Sequence, residues 1–138
     1  MSQAAITDDD RQVKIWGWIR PLYQDGIYRL VQAHAIAGGY CSLHRHDWQQ
    51  NMFVIHAGKL RVLIYRDNSM VPTEIVRLEQ AVRDTLIVPA GLRHRFEATS
   101  DCEFTELYFG QFGRAPSEDD IIREDQGGAR PNKYRSQR

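Results

Sequence analysis

Three histidines have the types and spacing of a metal site. His44 and His46 are two residues apart in a predicted strand, so side-chain alternation puts both imidazoles on the same face. His94 follows Pro89 and Gly91, residue types that make a tight turn into another predicted strand. Three imidazoles that converge from two strands would hold one divalent cation and leave positions open for water or substrate. The alternative interpretation is that the three are scattered surface histidines.

The segments that must position these histidines are predicted to be short β-strands. Apolar or alternating runs are separated by turns rich in Gly, Pro, Asn and Asp, and no run sustains the 3.6-residue period of a helix. This pattern is typical of an all-β sandwich or barrel. The predicted strands are residues 28–35, 40–46, 52–56, 60–65, 74–78, 85–88, 94–98 and 102–109.

The ends of the chain differ from this central pattern. We predict an N-terminal arm (1–13), a barrel (14–112), and a C-terminal tail that is first acidic and then flexible (113–138). Within the tail, Ser117 has the residue type that caps a helix, which predicts one short helical turn through Arg123.

Composition excludes several classes of partner. Lys plus Arg and Asp plus Glu are both 18, so there is no basic surplus for nucleic acid or an anionic membrane. No apolar run approaches the roughly 18 residues of a membrane span, and the polar N-terminus lacks the apolar stretch of a secretory signal. The two cysteines, Cys41 and Cys102, make no disulfide framework and are expected to be buried thiols. These features favour a soluble cytoplasmic protein.

Two sequence motifs resemble those of the cupin superfamily. The first motif runs Gly38-x5-His44-x-His46-x4-Asn51-x6-Gly58, and the second contains the sequence Pro89-x-Gly91-x-x-His94. The resemblance implies a double-stranded β-helix that carries one divalent metal ion on His44, His46 and His94. Zn, Mn, Fe, Co or Ni would each suit imidazole ligands.

Asn51 departs from the cupin pattern, which usually has Glu at this position. An amide oxygen is a weaker and neutral ligand. Asn51 is therefore either a weak fourth ligand or a residue that hydrogen-bonds metal-bound water. A cation held only by neutral groups should favour an anionic exogenous ligand.

A closer resemblance is to type II mannose-6-phosphate isomerases. It rests on Lys14-Ile15-Trp16-Gly17, on the second motif with His94-Arg95-Phe96, and on the acidic segment 117–125. Those isomerases carry Gln where this chain has His44, so the ligand set is altered. The resemblance implies metal-dependent isomerisation or epimerisation of a sugar or sugar phosphate, in which the cation acts as a Lewis acid.

Two other functions use the same pocket: a three-histidine non-haem Fe(II) dioxygenase, and a non-catalytic sugar- or metabolite-binding protein. In each case the expected partner is a small molecule, in the leading interpretation a carbohydrate. Trp48 could stack on a sugar ring, since it lies in the loop beside His46. A phosphate clamp at the barrel mouth could be formed by Arg29, Lys59, Arg61, Arg93 and Arg95. The alternative is that these side chains lie on the solvated exterior of the barrel.

The N-terminal part of the barrel also predicts a homodimer. Ile15, Trp16 and Trp18 suggest an aromatic-rich strand, and an apolar strand at a sheet edge favours pairing with a second chain. Two-fold dimers are the commonest result of such contacts.

Overall fold

The computed structural model describes residues 10–131. Within this range the chain forms thirteen β-strands and no α-helix. The strands are β1 (Gln12–Lys14), β2 (Gly17–Asp25), β3 (Tyr28–Ala35), β4 (Gly39–Tyr40), β5 (His44–Arg45), β6 (Gln49–Ala57), β7 (Lys59–Tyr65), β8 (Glu74–Glu79), β9 (Thr85–Val88), β10 (Arg93–Ala98), β11 (Cys102–Gly110), β12 (Ile122–Arg123) and β13 (Gly128–Ala129).

The strands form two antiparallel sheets. The first sheet has the order β1-β2-β3-β11-β6-β9. In the second sheet β10 is central: β7 and then β8 extend from one edge, while β5 and β4 share the other edge and pair outward with β12 and β13. This arrangement confirms the predicted all-β barrel.

A hydrophobic core fills the barrel and reaches the histidines, with the ring of Phe53 6.4 Å from that of His94. Alternate residues of β3, β6 and β11 are buried, so one face of the first sheet points inward. The rings of Phe53, Phe96 and Phe104 lie 5.2–6.3 Å apart, and Trp16 meets Phe96 edge-on at 4.8 Å. This close-packed core holds the strands that carry the candidate site.

Most predicted strands are present, and residues 28–35 and 85–88 match β3 and β9 to the residue. The predicted run 40–46 instead forms two short strands, β4 and β5, joined by irregular backbone. Ile15 and Trp16 lie in the turn between β1 and β2, so the predicted aromatic strand keeps only Trp18. The turn arises because Gly17 packs its α-carbon against the backbone of β3, where a Cβ would lie 1.9 Å from the carbonyl oxygen of His34.

The C-terminal segment also differs from its prediction. The helical turn expected from Ser117 to Arg123 is wrong: a non-helical turn is followed by β12, which pairs with β5. Farther on, β13 pairs with β4. The described part of the predicted tail therefore extends the second sheet, and residues 132–138 lie outside the described range, as do residues 1–9 of the predicted arm. In residues 10–131 there is no helix long and apolar enough to cross a membrane.

Candidate metal centre

The structure brings His44, His46 and His94 together inside the barrel. His44 on β5 is the direct cross-strand partner of His94 on β10. His46 lies two residues beyond His44, and the three ring centroids are 4.5–5.4 Å apart. All three side chains are buried, and one ring nitrogen of each lies within 4.8 Å of those of the other two. The convergence predicted from the two-residue spacing is therefore present.

The hydrogen bonds of these histidines leave their Nε2 atoms free to bind a cation. Each Nδ1–H donates to a backbone carbonyl: His44 to Ser42 at 2.7 Å, His46 to Asp120 at 2.6 Å and His94 to Leu92 at 2.9 Å. This fixes the tautomer, so Nε2 carries the lone pair. The Nε2 atoms of His46 and His94 are buried with no hydrogen-bond partner in the described chain. Unpaired buried acceptors facing one point fit a metal ion.

The surroundings keep the three imidazoles neutral, the form that binds metal. Burial lowers the pKa of each ring. The neighbouring histidines lower the pKa of His44 further, and the pKa of His94 is lowered to about 3. At neutral pH the site presents three uncharged nitrogen donors.

Asp120 in the C-terminal segment holds the loop that carries His46. Its buried carboxylate accepts the backbone N–H groups of Asp47 at 2.7 Å, Trp48 at 3.0 Å and Gln49 at 2.9 Å. Its carbonyl accepts the Nδ1–H of His46. Asp120 thus positions a candidate ligand through both its side chain and its backbone. The sequence signal for it is the acidic segment 117–125, which the sequence pattern predicts to belong to the C-terminal tail.

A cavity of about 440 Å³ opens beside the histidines. His44 and His46 form one wall, and Arg29, Glu106 and Tyr108 on the inner face of the first sheet form the opposite wall. The turn after β1 and the segment around β12 complete the lining. Both ends of the described chain therefore shape the cavity, which also matches the size of typical small-molecule sites.

Glu106 is a site residue that the sequence did not indicate. Its carboxylate is buried, and its Oε2 accepts hydrogen bonds from the hydroxyl of Tyr108 at 2.7 Å and from Nδ2 of Asn51 at 2.9 Å. Burial raises the pKa of Glu106, while the two hydrogen bonds lower it by less. Burial and the nearby carboxylate also raise the pKa of Tyr108 well above its usual value.

No protein-family model and no curated protein matches the sequence, but solved structures do. Oxalate decarboxylase from Bacillus subtilis at pH 4.6 matches with a TM-score of 0.66 and 19% identity, over 83% of this chain and 29% of that one. KdgF from Halomonas sp. matches with a TM-score of 0.64 and 17% identity, over 78% of this chain and 95% of that one. CapF with the inhibitor 3-isopropenyl-tropolone matches with a TM-score of 0.64 and 14% identity, over 88% of this chain and 34% of that one.

The chain has the cupin fold. It spans about a third of the oxalate decarboxylase and CapF chains and nearly all of KdgF. At these identities the likeness shows the fold. The cupin fold and the three-histidine cluster together support a site for one divalent metal ion.

The cupin barrel brings some of the other predicted site residues to the cavity and not others. Arg29 lines it. Asn51 is buried, and its Oδ1 has no hydrogen-bond partner in the described chain; its role as a weak or water-mediated ligand stays a prediction. Trp48 does not line the cavity, because its Nε1–H donates to Ala115 and the guanidinium of Arg114 covers its ring at 3.6 Å.

Arg93 is also directed away from the cavity. Its guanidinium binds both carboxylate oxygens of Glu124, at 2.6 and 2.9 Å, and the carbonyls of Asp67 and Ser69. Arg93 faces outward because it is adjacent in β10 to the inward-facing His94. Its interactions tie the C-terminal segment to the β7–β8 connection, which is a structural role.

Proposed function

We propose that this cupin is a metal-dependent enzyme that isomerises or epimerises a sugar or a related polyhydroxy compound. His44, His46 and His94 hold the cation, and Glu106 transfers the proton. The observation that carries the proposal is Glu106, a buried carboxylate that faces the histidines across the cavity. Such a reaction needs a general base, and with Asn51 in the place of the usual Glu the cupin motifs supply none.

The donor set fits a catalytic metal. A cation on three imidazoles with open positions would polarise a substrate carbonyl and its neighbouring hydroxyl as a Lewis acid. Zn, Mn, Fe, Co and Ni are all compatible with these ligands. The protein residues then have separate tasks: the histidines fix the cation, and the opposite wall handles the substrate and its proton.

The hydrogen bonds of Glu106 suit proton transfer. Tyr108 and Asn51 both donate to Oε2, and Oε1 receives no hydrogen bond from the described residues. The carboxylate is therefore held in one orientation with one oxygen available to the cavity. Positioned carboxylates in partly desolvated sites contribute about 10²–10⁴-fold to proton-transfer reactions.

One observation favours the Fe(II) dioxygenase as a second candidate. No carboxylate belongs to the three-histidine cluster, and its three donors are neutral. Such a cluster leaves facial positions for dioxygen and a chelating substrate. Oxygen consumption by an iron-containing preparation, with no exchange of substrate protons, would replace the isomerase proposal by this one.

The test follows proton exchange at the carbon next to the carbonyl. Aldose and ketose pairs, unmodified, phosphorylated or carrying a carboxylate, are incubated with metal-loaded protein in deuterium oxide and followed by NMR. We expect exchange or interconversion, and a fall of about 100-fold or more in Glu106→Gln with metal content unchanged. Glu103→Gln is the matched control, because Glu103 lies on the same strand and faces outward to His34 at 2.7 Å. Full activity in Glu106→Gln, or no exchange with any sugar, would contradict the proposal.

A further inference from the structure

We propose that the cavity binds a substrate that carries a carboxylate, and that Arg29 binds this carboxylate. The inference rests on the proposed function, since it names the class of substrate for the same site. It narrows that class from sugars and related polyhydroxy compounds to polyhydroxy acids.

Arg29 is a buried charge whose pairing within the protein is weak. The residue is 7% exposed and lines the cavity. The guanidinium packs over the ring of Tyr108 at 5.4 Å, and its ion-pair partner is Glu118, 4.0 Å away with a 68% exposed side chain. Among residues 10–131 no hydrogen-bond acceptor for the guanidinium is found. The charge of Arg29 also lowers the pKa of the buried Glu106, so this carboxylate offsets part of the cost of burying the cation. Neither Glu106 nor Glu118 is hydrogen-bonded to the guanidinium within the described residues, and an anionic ligand would complete the site.

The sheet register places Arg29 opposite the histidines. Arg29 on β3, Tyr108 on β11 and Asn51 on β6 are successive cross-strand partners, so their side chains form one inward row. The ring of Tyr108 also contacts His46, with centroids 5.6 Å apart. The guanidinium of Arg29 and the ring of His46 are therefore within about 11 Å of each other, and both contact Tyr108. A polyhydroxy acid that lies over Tyr108 would reach both walls.

The other clamp residues expected from the sequence do not line the cavity and are paired with carboxylates, Lys59 with Glu79 among them. Arg61 pairs with Glu97, Arg93 with Glu124 and Arg95 with Asp125. Of the clamp residues expected from the sequence, only Arg29 lines the cavity; Lys14 and the exposed Arg123 also line it, but Arg29 is the buried cation among these three. A single planar guanidinium matches a carboxylate through two parallel hydrogen bonds, whereas phosphate sites normally gather several donors.

The experiment compares three probes that differ in one group: gluconate, sorbitol and sorbitol 6-phosphate. Each is titrated by calorimetry into the full-length protein loaded with Mn(II). We expect gluconate to bind at least tenfold more tightly than sorbitol or sorbitol 6-phosphate. In Arg29→Gln the affinity for gluconate should fall about 30-fold while that for sorbitol is unchanged, because only the carboxylate contact is lost. Arg29→Lys keeps the charge but not the planar guanidinium, so its affinity for gluconate should lie between those of wild type and Arg29→Gln.

Arg77→Gln is the matched control, because Arg77 lies on β8 with its side chain exposed, and it should leave all three affinities unchanged. Preference for sorbitol 6-phosphate, absence of gluconate binding, or equal losses for gluconate and sorbitol in Arg29→Gln would overturn the inference. If sorbitol still binds only to the metal-loaded protein, these results would overturn the carboxylate site without contradicting the proposed function. Gluconate binding that depends on Arg29 but not on metal would instead support the carboxylate site and contradict the metal-dependent function.

Discussion

At the residue scale, Asn51 links the two walls of the candidate site. Its Nδ2–H donates to Glu106, and its Oδ1 is buried without a hydrogen-bond partner in the described chain. A buried amide oxygen of this kind normally has a partner, which water or a cation would supply. The sequence alone predicted that Asn51 faces the interior, but not that it contacts a carboxylate, because that contact depends on the register between β6 and β11.

Substitutions of Asn51 separate these roles. Asn51→Ala should retain metal with affinity within about tenfold of wild type, because three imidazoles remain. Asn51→Glu should bind metal more tightly by adding a charged ligand, and its metal-free form should be less stable because two carboxylates then meet at Glu106. Metal titration by calorimetry and thermal denaturation would measure both effects. Loss of all metal in Asn51→Ala would mean that the amide is an essential ligand.

Glu106 and Asp120 could not be predicted as site residues from the sequence, unlike the three histidines. The histidine spacing carries its own geometric information, since residues two apart in a strand share a face. Glu106 is one of several inward positions on β11, and only long-range pairing puts it beside Asn51. Asp120 is separated from its backbone partners by more than seventy residues, so no local sequence pattern predicts that it accepts their hydrogen bonds.

At the scale of elements, turn chemistry made the strands predictable. Gly58 ends β6 with a φ of +78°, and a Cβ there would lie 2.2 Å from the carbonyl oxygen of Asp101. Gly91 has a φ of +85° in the turn that leads to His94. Both φ values favour glycine, so the glycines of the two motifs stand where the backbone conformation requires them. The two-residue strands β4, β5, β12 and β13 carry too few residues for any period and were not predicted separately.

The C-terminal segment should contribute to both stability and metal binding through Asp120. Asp120→Ala leaves three backbone N–H groups without their acceptor, and each buried unpaired donor costs about 1–3 kcal/mol. We expect a loss of about 3 kcal/mol, or roughly 10 °C in Tm, together with weaker metal binding. Thermal denaturation and metal titration measure these changes. Asp119→Ala, at the exposed neighbouring position, is the control and should change neither Tm nor metal affinity. If Asp120→Ala also changes neither, the loop that carries His46 does not depend on Asp120.

At the scale of the whole molecule, the exposed edge of the first sheet is the place where a second chain would pair. β1 is the edge strand, and Val13 and Ile15 beside it are 85% and 61% exposed. Trp18, on which the dimer prediction was partly based, packs instead on His34 with ring centroids 5.7 Å apart. The apolar edge therefore remains, but its residues are those of β1 and the following turn.

The homodimer stays a prediction, and light scattering tests it. We expect a mass near twice the 16.0 kDa of one chain at micromolar concentration. Val13→Glu should shift the mass toward that of the monomer without lowering Tm, because Val13 is exposed within one chain. Val82→Glu, 78% exposed at a distant turn, should leave the dimer intact. A wild-type mass near 16.0 kDa would refute the dimer.

Binding of one divalent metal ion to the three histidines can be measured by elemental analysis of the purified protein. We predict about one equivalent of Zn, Mn, Fe, Co or Ni per chain, and less than about 0.2 equivalent in His94→Ala, since two imidazoles cannot complete the site. His56→Ala is the control, because His56 is exposed and hydrogen-bonds Thr105 at 2.6 Å, away from the cluster. A wild-type protein without metal, even after incubation with these ions, or a His94→Ala protein that keeps a full equivalent, would contradict the account.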